Sequence, residues 1–173
     1  MRLYLIRHGD ALPGFDDAAR PLSEAGLREA DLAGAFLRQV GASPDVVYHS
    51  RLLRAKQTAE GVAARLGASG RLEVCSGVRP GDSAKAFVHI LDVLNIPPGG
   101  EAIVVTHQPF VSGLASCLLT GSENVAVLKF STGTVSAFER QGRGLWTLRF
   151  HMTAKAIARL LENETEEADE RFS

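Results

Sequence analysis

Two short apolar runs without polar alternation constrain the fold of this chain more than any other feature. The first run is LYLI (residues 3–6), and the second is AIVV (residues 102–105). A strand with one face in water alternates apolar and polar residues, so these unbroken runs predict strands that are buried on both faces. Such strands belong to parallel sheets that helices cover on both sides. The two runs therefore favour an α/β fold.

The rest of the chain alternates between helical and strand-like patterns. Further strands are predicted at 45–50 and 72–76, and helices over about 23–40, 51–66, 83–94, 109–119 and 154–170. Near the C-terminus, the strand-like runs AVLKFS, VSAFER and LWTLRF are joined by the turns STGT and QGRG, whose shortness favours antiparallel pairing. We therefore predict an α/β fold with helices on both faces of a mostly parallel sheet that has antiparallel strands at its C-terminal edge.

The length and composition are those of a soluble globular protein. With 173 residues, 45% of them apolar and 23% charged, the chain fits one domain over residues 1–161, followed by an acidic tail over 162–173 that we expect to fray. The net charge of −1 favours neither nucleic acid nor a membrane surface as a partner. Without the tail, the body carries a net charge of +4, which is compatible with anionic substrates.

The cysteines and the N-terminus favour a cytoplasmic protein. Cys75 and Cys117 have neither CxxC nor zinc-ligand spacing, which is typical of free thiols in a reducing compartment. The apolar run before Arg7 is too short for a signal peptide. No apolar stretch approaches the roughly 20 residues that a transmembrane helix needs.

The residues with chemical potential begin at the end of the first strand. Arg7, His8 and Gly9 follow the apolar run at once, where the strand would reach the edge of the sheet. Open parallel sheets bind their ligands beyond the carboxyl ends of the strands. His107 ends the second run in the same way. If the two strands are parallel in one sheet, both imidazoles lie at the same edge.

The helix after the second strand begins with an unusual charge pattern. SRLLRAKQTA places Arg51 and Arg54 in its first turn, where a cation opposes the helix dipole at a cost of about 0.3–1 kcal/mol. A bound anion would reverse that sign, and the free N–H groups of a helix start also suit phosphate. Arg20 lies beside another helix start, before the N-cap Ser23. The alternative is that these arginines are solvated surface residues.

Together, these side chains form a consistent pocket for phosphate. Arginine forks bind phosphate oxygens in pairs, and their positive charge favours a neutral His8 with a lone pair that can attack phosphorus. The result would be a covalent phosphohistidine, with Arg7, Arg54 and His107 stabilising charge on the transferred group. A zinc site on the two histidines is the metal alternative, which the cationic neighbours disfavour. We predict neither a metal nor another cofactor.

Four ordered segments carry a resemblance to a known family. LIRHGD, RPLSEAG, HSRLLRAKQTA and VVTHQP, which span roughly residues 1–120, resemble the motifs of the histidine phosphatase (phosphoglycerate mutase-like) superfamily. The small size and the short spacing make the chain most similar to its SixA-type branch of phosphohistidine phosphatases. The resemblance implies a three-layer αβα sandwich without a metal. It also implies that His8 accepts the phosphoryl group and that Arg7, Arg20, Arg54 and His107 surround it.

One departure from the family pattern bears on the substrate. Larger relatives carry a glutamate that protonates an alkoxide leaving group, but here the corresponding region reads EVCSGVRPGDSA, and neither Glu73 nor Asp82 fits the pattern. A protonated imidazole, with a pKa of roughly 6.5 against about 15 for an alcohol, leaves with little help from an acid. Asp82 stays a candidate acid, with a turn or helix-start role as the alternative.

The sequence thus leaves three functional hypotheses. The first is a metal-independent phosphatase for protein phosphohistidine, which acts in signal transduction. Short loops, apart from residues 10–22, predict an open pocket and favour a phosphate displayed on a protein over a small metabolite. The second hypothesis is a broad phosphomonoesterase or mutase with a small phosphorylated substrate. The third is a non-catalytic module that only binds phosphate.

Overall fold

The chain folds around one mixed sheet. The computed structural model describes residues 1–14, 16–94, 96–140 and 146–171. Within these ranges the strands are β1 (Arg2–Arg7), β2 (Val46–His49), β3 (Leu72–Val74), β4 (Glu101–Thr106), β5 (Val135–Glu139) and β6 (Thr147–Met152). The helices are α1 (Glu24–Gln39), α2 (Leu53–Leu66), α3 (Ala84–Leu91), α4 (Phe110–Thr120) and α5 (Ala154–Arg171).

The sheet has the predicted mixed topology. The strand order is β3-β2-β4-β1-β5-β6. The first four strands of the chain run parallel, whereas β5 is antiparallel to β1 and β6 is antiparallel to β5. The two apolar runs became β1 and β4, which are hydrogen-bonded neighbours at the centre of the sheet. Their carboxyl ends therefore lie side by side.

Helices cover both faces of the sheet, as the apolar runs require. Leu3, Leu5 and Val104 pack on one face against α3 and α4. Tyr4 and Ile6 point to the other face, where they join the buried side chains of α1, α2 and α5. Burial on both faces explains why β1 has no polar alternation. The three-layer αβα arrangement is thereby confirmed.

The predicted N-caps of α1 and α3 are confirmed, whereas α2 begins later than predicted. Ser23 and Ser83 cap α1 and α3, where their hydroxyls accept the backbone N–H of Gly26 and Ala86. The helix expected from Arg51 starts two residues later, with Leu52 at its N-cap. Arg51 therefore lies before the first turn.

The strand predicted for AVLKFS is wrong. Residues 126–131 form no strand, because side chains instead of a neighbouring strand bind their backbone carbonyls. Arg7 bonds the carbonyl of Phe130, and Ser112 bonds that of Leu128. The predicted QGRG turn lies outside the described residues. The helix predicted over 154–170 is α5, and the fraying of the tail stays a prediction.

Membrane insertion finds no support in the helices. Among the described residues, no helix is both long enough and apolar enough to cross a bilayer.

Candidate active site

The two predicted histidines meet at the carboxyl edge of the sheet. His8 and His107 directly follow the paired strands β1 and β4, and the backbone N–H of His8 donates to the carbonyl of Thr106. Their ring centroids are 4.9 Å apart. His8 is 9% exposed and His107 is 1% exposed, so both imidazoles belong to the interior of the protein. The strand pairing therefore brings together two rings that are far apart in the sequence.

The orientation of His8 is fixed by the residue that follows it. Its Nδ1 lies 2.7 Å from the carbonyl oxygen of Gly9, and since a carbonyl only accepts, Nδ1 carries the hydrogen. The lone pair is then on Nε2, which lies 3.3 Å from Nε of Arg54. The backbone N–H of Gly9 donates to the Thr58 hydroxyl at 3.1 Å. The Gly9 peptide thus holds the imidazole with its basic nitrogen at Nε2, where the lone pair accepts the Nε–H of Arg54.

Glycine is required at this position by close packing. A Cβ added to Gly9 would lie 2.5 Å from the carbonyl oxygen of Gly26, in the first turn of α1. The same approach from the other side brings a Cβ on Gly26 into the carbonyl of Asp10. The glycines of RHG and SEAG therefore form one contact, which seats the loop after β1 on the start of α1.

The second imidazole is held by a buried serine. Nε2 of His107 lies 2.5 Å from the hydroxyl oxygen of Ser50, the residue that follows β2. Ser50 is fully buried and also accepts the backbone N–H of Leu52. Nδ1 of His107 is buried and has no hydrogen-bond partner among the described residues. Buried polar atoms in folded proteins are nearly always hydrogen-bonded, so this nitrogen is positioned to bind a further group.

Both imidazoles are neutral near pH 7. The pKa of His8 is lowered to about 4, chiefly by burial; the hydrogen bond to the Gly9 carbonyl opposes this shift, and the charges of Arg54, Arg7 and Arg20 add to it. Burial also lowers the pKa of His107 to about 3, with a further contribution from His8 and Arg54. The predicted neutral His8 is therefore supported, but burial, and not positive charge, is the larger cause.

Arg54 lies in the site and is bound to an aspartate that the sequence analysis did not single out. Its Nη1 donates to the backbone carbonyl of Asp17 at 2.6 Å and lies 3.1 Å from Oδ1 of the Asp17 carboxylate. Nη2 lies 3.3 Å from Oδ2. The Asp17 carboxylate therefore occupies the fork with which an arginine binds phosphate.

Arg20 and Arg7 are the other two predicted arginines whose charges act on His8. Arg20 lies 3.8 Å from the carboxylate of Asp17 and donates to the backbone carbonyls of Leu12 and Ala11. Arg7 donates from Nη1 to the carbonyl of Phe130, and its buried Nε has no partner within the described ranges. Burial lowers the pKa of Arg7, which the carboxylate of Glu29 opposes. Three guanidinium groups thus contribute positive charge around His8.

Other predicted candidates lie elsewhere. Arg51 is exposed, because it precedes α2 instead of belonging to its first turn. Asp82 takes the turn role, since its carboxylate accepts the backbone N–H of Arg79. Glu73 is exposed on β3. His49 bonds the carbonyl of Ser50 from a buried position, which fits a packing role.

Sequence reasoning missed the residues that hold the site together. Asp17, Ser50 and Thr58 bind Arg54, His107 and Gly9 through contacts between distant segments. No local pattern marks them, although Ser50 and Thr58 flank Arg54 within HSRLLRAKQTA. Within the described part of the chain, no group of three His, Cys, Asp or Glu side chains could hold a metal ion.

The segment over residues 10–22, the exception among the short loops, lies against the site. Residues 17–19 form a short 3-10 turn in the loop after β1, and this turn places Asp17 on Arg54. The side chain of Arg54 is only 5% exposed to solvent, whereas the side chain of Asp17 is 65% exposed. The loop between β1 and α1 therefore covers part of the site.

Comparison with known proteins places the chain in a family. The model of the histidine phosphatase superfamily (branch 1) matches residues 3–79, the segment that contains Arg7, His8, Arg20 and Arg54. An uncharacterised protein of a Picosynechococcus species is 35% identical over 125 residues, which are 70% of this chain and 74% of that protein. The chain belongs to the histidine phosphatase superfamily. It is a phosphatase, and hence a hydrolase, as its likeness to the SixA phosphatases indicates.

Relatives within the histidine phosphatase superfamily extend the likeness over nearly the whole chain. The phosphohistidine phosphatase SixA of Escherichia coli is 28% identical over 91% of this chain and 100% of its own length. The structure of the protein histidine phosphatase SixA complexed with tungstate matches with a TM-score of 0.78 and 26% identity, over 90% of this chain and 98% of that one. Both comparisons include His107, which lies beyond the segment matched by the family model.

Proposed function

We propose that this phosphatase hydrolyses phosphohistidine in proteins through a covalent intermediate on His8. In the first step, Nε2 of His8 forms a bond to phosphorus while the bond to the substrate imidazole breaks. The leaving imidazole, protonated on its distal nitrogen, departs as a neutral ring. In the second step, water attacks phosphorus, the bond to Nε2 breaks and returns its electron pair to Nε2, and phosphate leaves with the oxygen of the water while a water proton passes to solvent.

The observation that carries this proposal is the state of the His8 ring. Its Nδ1–H is taken by the carbonyl of Gly9, so that Nε2 holds the lone pair. With the pKa lowered to about 4, Nε2 stays unprotonated throughout the physiological range, and its lone pair can attack phosphorus once the hydrogen bond from Nε of Arg54 is released. An imidazole that is neutral, oriented and surrounded by guanidinium groups suits attack on a phosphoryl group.

The surrounding cations would stabilise the charge on the transferred group. The charges of Arg7, Arg20 and Arg54 all lower the pKa of His8, which supports a role for these arginines in binding a group on Nε2. His107 adds a neutral donor beside them. In phosphoryl transfer, such electrostatic stabilisation and positioning supply most of the catalysis. Arg54 would exchange the Asp17 carboxylate for phosphoryl oxygens.

The substrate class rests on the leaving group. The carboxylate of Asp82 is engaged with the backbone of Arg79, and that of Asp17 is paired with Arg54 and Arg20. Neither is a free acid at the site, whereas an alkoxide leaving group needs one and a protonated imidazole does not. The names of the SixA relatives support the same class. We expect the enzyme to act in the cytoplasm, on signalling proteins that carry phosphohistidine.

A competition assay tests this proposal. A phosphohistidine-bearing protein and a phosphate monoester are offered together, and the release of phosphate from each is measured. We expect the phosphohistidine to be hydrolysed at least about a hundredfold faster, and His8→Asn to abolish release, because the nucleophile is lost. Asp82→Asn serves as the control and should leave the rate unchanged.

Two other results would replace the proposal. Preferred hydrolysis of the monoester, with a steep loss in Asp82→Asn, would instead establish a phosphomonoesterase or mutase. Phosphate binding without turnover of either donor would establish a non-catalytic binding module.

A further inference from the structure

The contact between Ser50 and His107 assigns the hydrogens of the second imidazole. Two arrangements are possible across the 2.5 Å between the Ser50 hydroxyl and Nε2 of His107. Either the hydroxyl donates to a bare Nε2, or an Nε2–H donates to the hydroxyl oxygen. The ring is neutral, since burial lowers its pKa to about 3, so the choice also decides whether Nδ1 carries a hydrogen.

The first arrangement satisfies more of these buried groups. The Ser50 oxygen already accepts the backbone N–H of Leu52, and Nε2 is the one acceptor that the described residues offer to its hydrogen. If Nε2 carried the hydrogen, the serine hydrogen would be left without an acceptor and Nδ1 without a donor. Ser50 is fully buried, and an unpaired buried polar group is destabilising. The hydroxyl therefore donates to Nε2.

We propose that Ser50 is a positioning residue, which holds His107 in the tautomer with hydrogen on Nδ1 so that this ring donates to the phosphoryl group. Like Nε of Arg7, Nδ1 of His107 is a buried nitrogen that has no partner among the described residues. In the opposite tautomer Nδ1 would be an acceptor, and its lone pair would repel a phosphoryl oxygen. Without Ser50, Nδ1 of His107 could be a hydrogen-bond donor or an acceptor. The bond to Ser50 makes it a donor.

This inference rests on the proposed function for its purpose but not for its test. The tautomer is a property of the resting protein and can be measured without any substrate. A failure of the tautomer assignment therefore leaves the phosphatase proposal standing. Conversely, an inactive protein with the assigned tautomer would overturn the function alone.

Nitrogen-15 NMR of the histidine side chains provides the first test. In the wild-type protein at pH 7, we expect the His107 ring to show a protonated Nδ1 and an unprotonated, hydrogen-bonded Nε2. An Nε2-protonated ring would overturn the proposal. Because this measurement uses the unaltered protein, it does not depend on the folding of a variant.

The variant Ser50→Ala provides the second test. A hydroxyl that donates to Nε2 stabilises the neutral ring, so its removal should raise the pKa of His107 in an NMR titration. The Nδ1–H tautomer should become a minor form, and the Kd for inorganic phosphate should rise about fivefold. If the ring instead donated to Ser50, the pKa would fall, and that result would refute the assignment.

A matched control separates these effects from the loss of a buried hydroxyl. Ser116 is also buried, but its hydroxyl donates to the backbone carbonyl of Ser112 within α4. Ser116→Ala should leave the His107 tautomer, its pKa and the Kd for phosphate unchanged. Equal changes in both variants would assign Ser50 a general structural role and overturn the proposal.

Discussion

At the scale of single residues, the direction of the His8 ring depends on one peptide group. The carbonyl of Gly9 takes Nδ1–H, and its N–H is held by the Thr58 hydroxyl, which in turn donates to the carbonyl of Arg54. The absence of a side chain lets the same residue pack against Gly26. Thr58 therefore connects the nucleophile, through backbone groups, to the helix that carries Arg54.

Thr58→Val should weaken both stability and activity. Valine has nearly the same shape but leaves the buried N–H of Gly9 without an acceptor, which costs about 1–3 kcal/mol of unfolding free energy. We expect a loss of about tenfold in kcat, since the Gly9 peptide no longer fixes the ring. Urea unfolding and steady-state kinetics measure the two effects. Thr58→Ser keeps the hydroxyl and should retain most of kcat; an equal loss in both variants would contradict this role.

At the scale of elements, the loop between β1 and α1 is both a covering segment and a source of competing charge. Its 3-10 turn, Asp17–Ala19, carries the carboxylate that occupies the Arg54 fork. A phosphoryl group can use that fork only after the carboxylate has moved. Asp17 is mostly exposed, so water can solvate its carboxylate once it moves, while the phosphoryl oxygens would take over the pairing of the buried Arg54 guanidinium.

Asp17→Asn should therefore tighten phosphate binding. The substitution removes both the ion pair that must break and the repulsion between a carboxylate and the incoming anion. We expect the Kd for inorganic phosphate, measured by calorimetry, to fall about threefold to tenfold. Asp16→Asn, which removes a neighbouring charge that forms no ion pair with the site arginines within the described residues, should have a smaller effect. Weaker binding in Asp17→Asn would mean that the carboxylate positions Arg54 for phosphate.

The sequence predicted those elements whose signals are local. The apolar runs identified β1 and β4, and their neighbouring ends placed His8 beside His107. The prediction of a strand at AVLKFS was wrong. The apolar pattern of this run resembles that of a strand, but side chains from other segments bind its carbonyls. The contact between Asp17 and Arg54 depends on how a loop folds over a distant helix, and no spacing in the sequence encodes it.

At the scale of the whole molecule, two neutral imidazoles in the interior link folding to pH. The pKa of His8 is lowered to about 4 and that of His107 to about 3, whereas an unfolded histidine titrates near 6.5. Between these values the unfolded chain binds protons that the folded protein does not. Folding stability is therefore fully present above about pH 6.5 and declines as the pH falls towards the folded values.

Chemical denaturation at pH 7 and pH 5 measures this linkage. We expect each of the two histidines to contribute about 2 kcal/mol of stability that is lost over this interval. His8→Gln should flatten the pH dependence by about that amount, since glutamine does not titrate. His89→Gln is the control, because His89 lies exposed on α3. Equal slopes for the wild type and His8→Gln would contradict the neutral, buried state of His8.

The most direct test of the account is to find where the phosphoryl group resides during turnover. The enzyme is mixed with a phosphohistidine-bearing protein, quenched in alkali within the first turnover, and analysed by peptide mass spectrometry and phosphorus NMR. We predict one phosphoryl group on Nε2 of His8 in the wild-type enzyme, and none in the variant His8→Asn. Phosphate release without a phosphorylated His8, or a phosphoryl group on His107 instead, would contradict it.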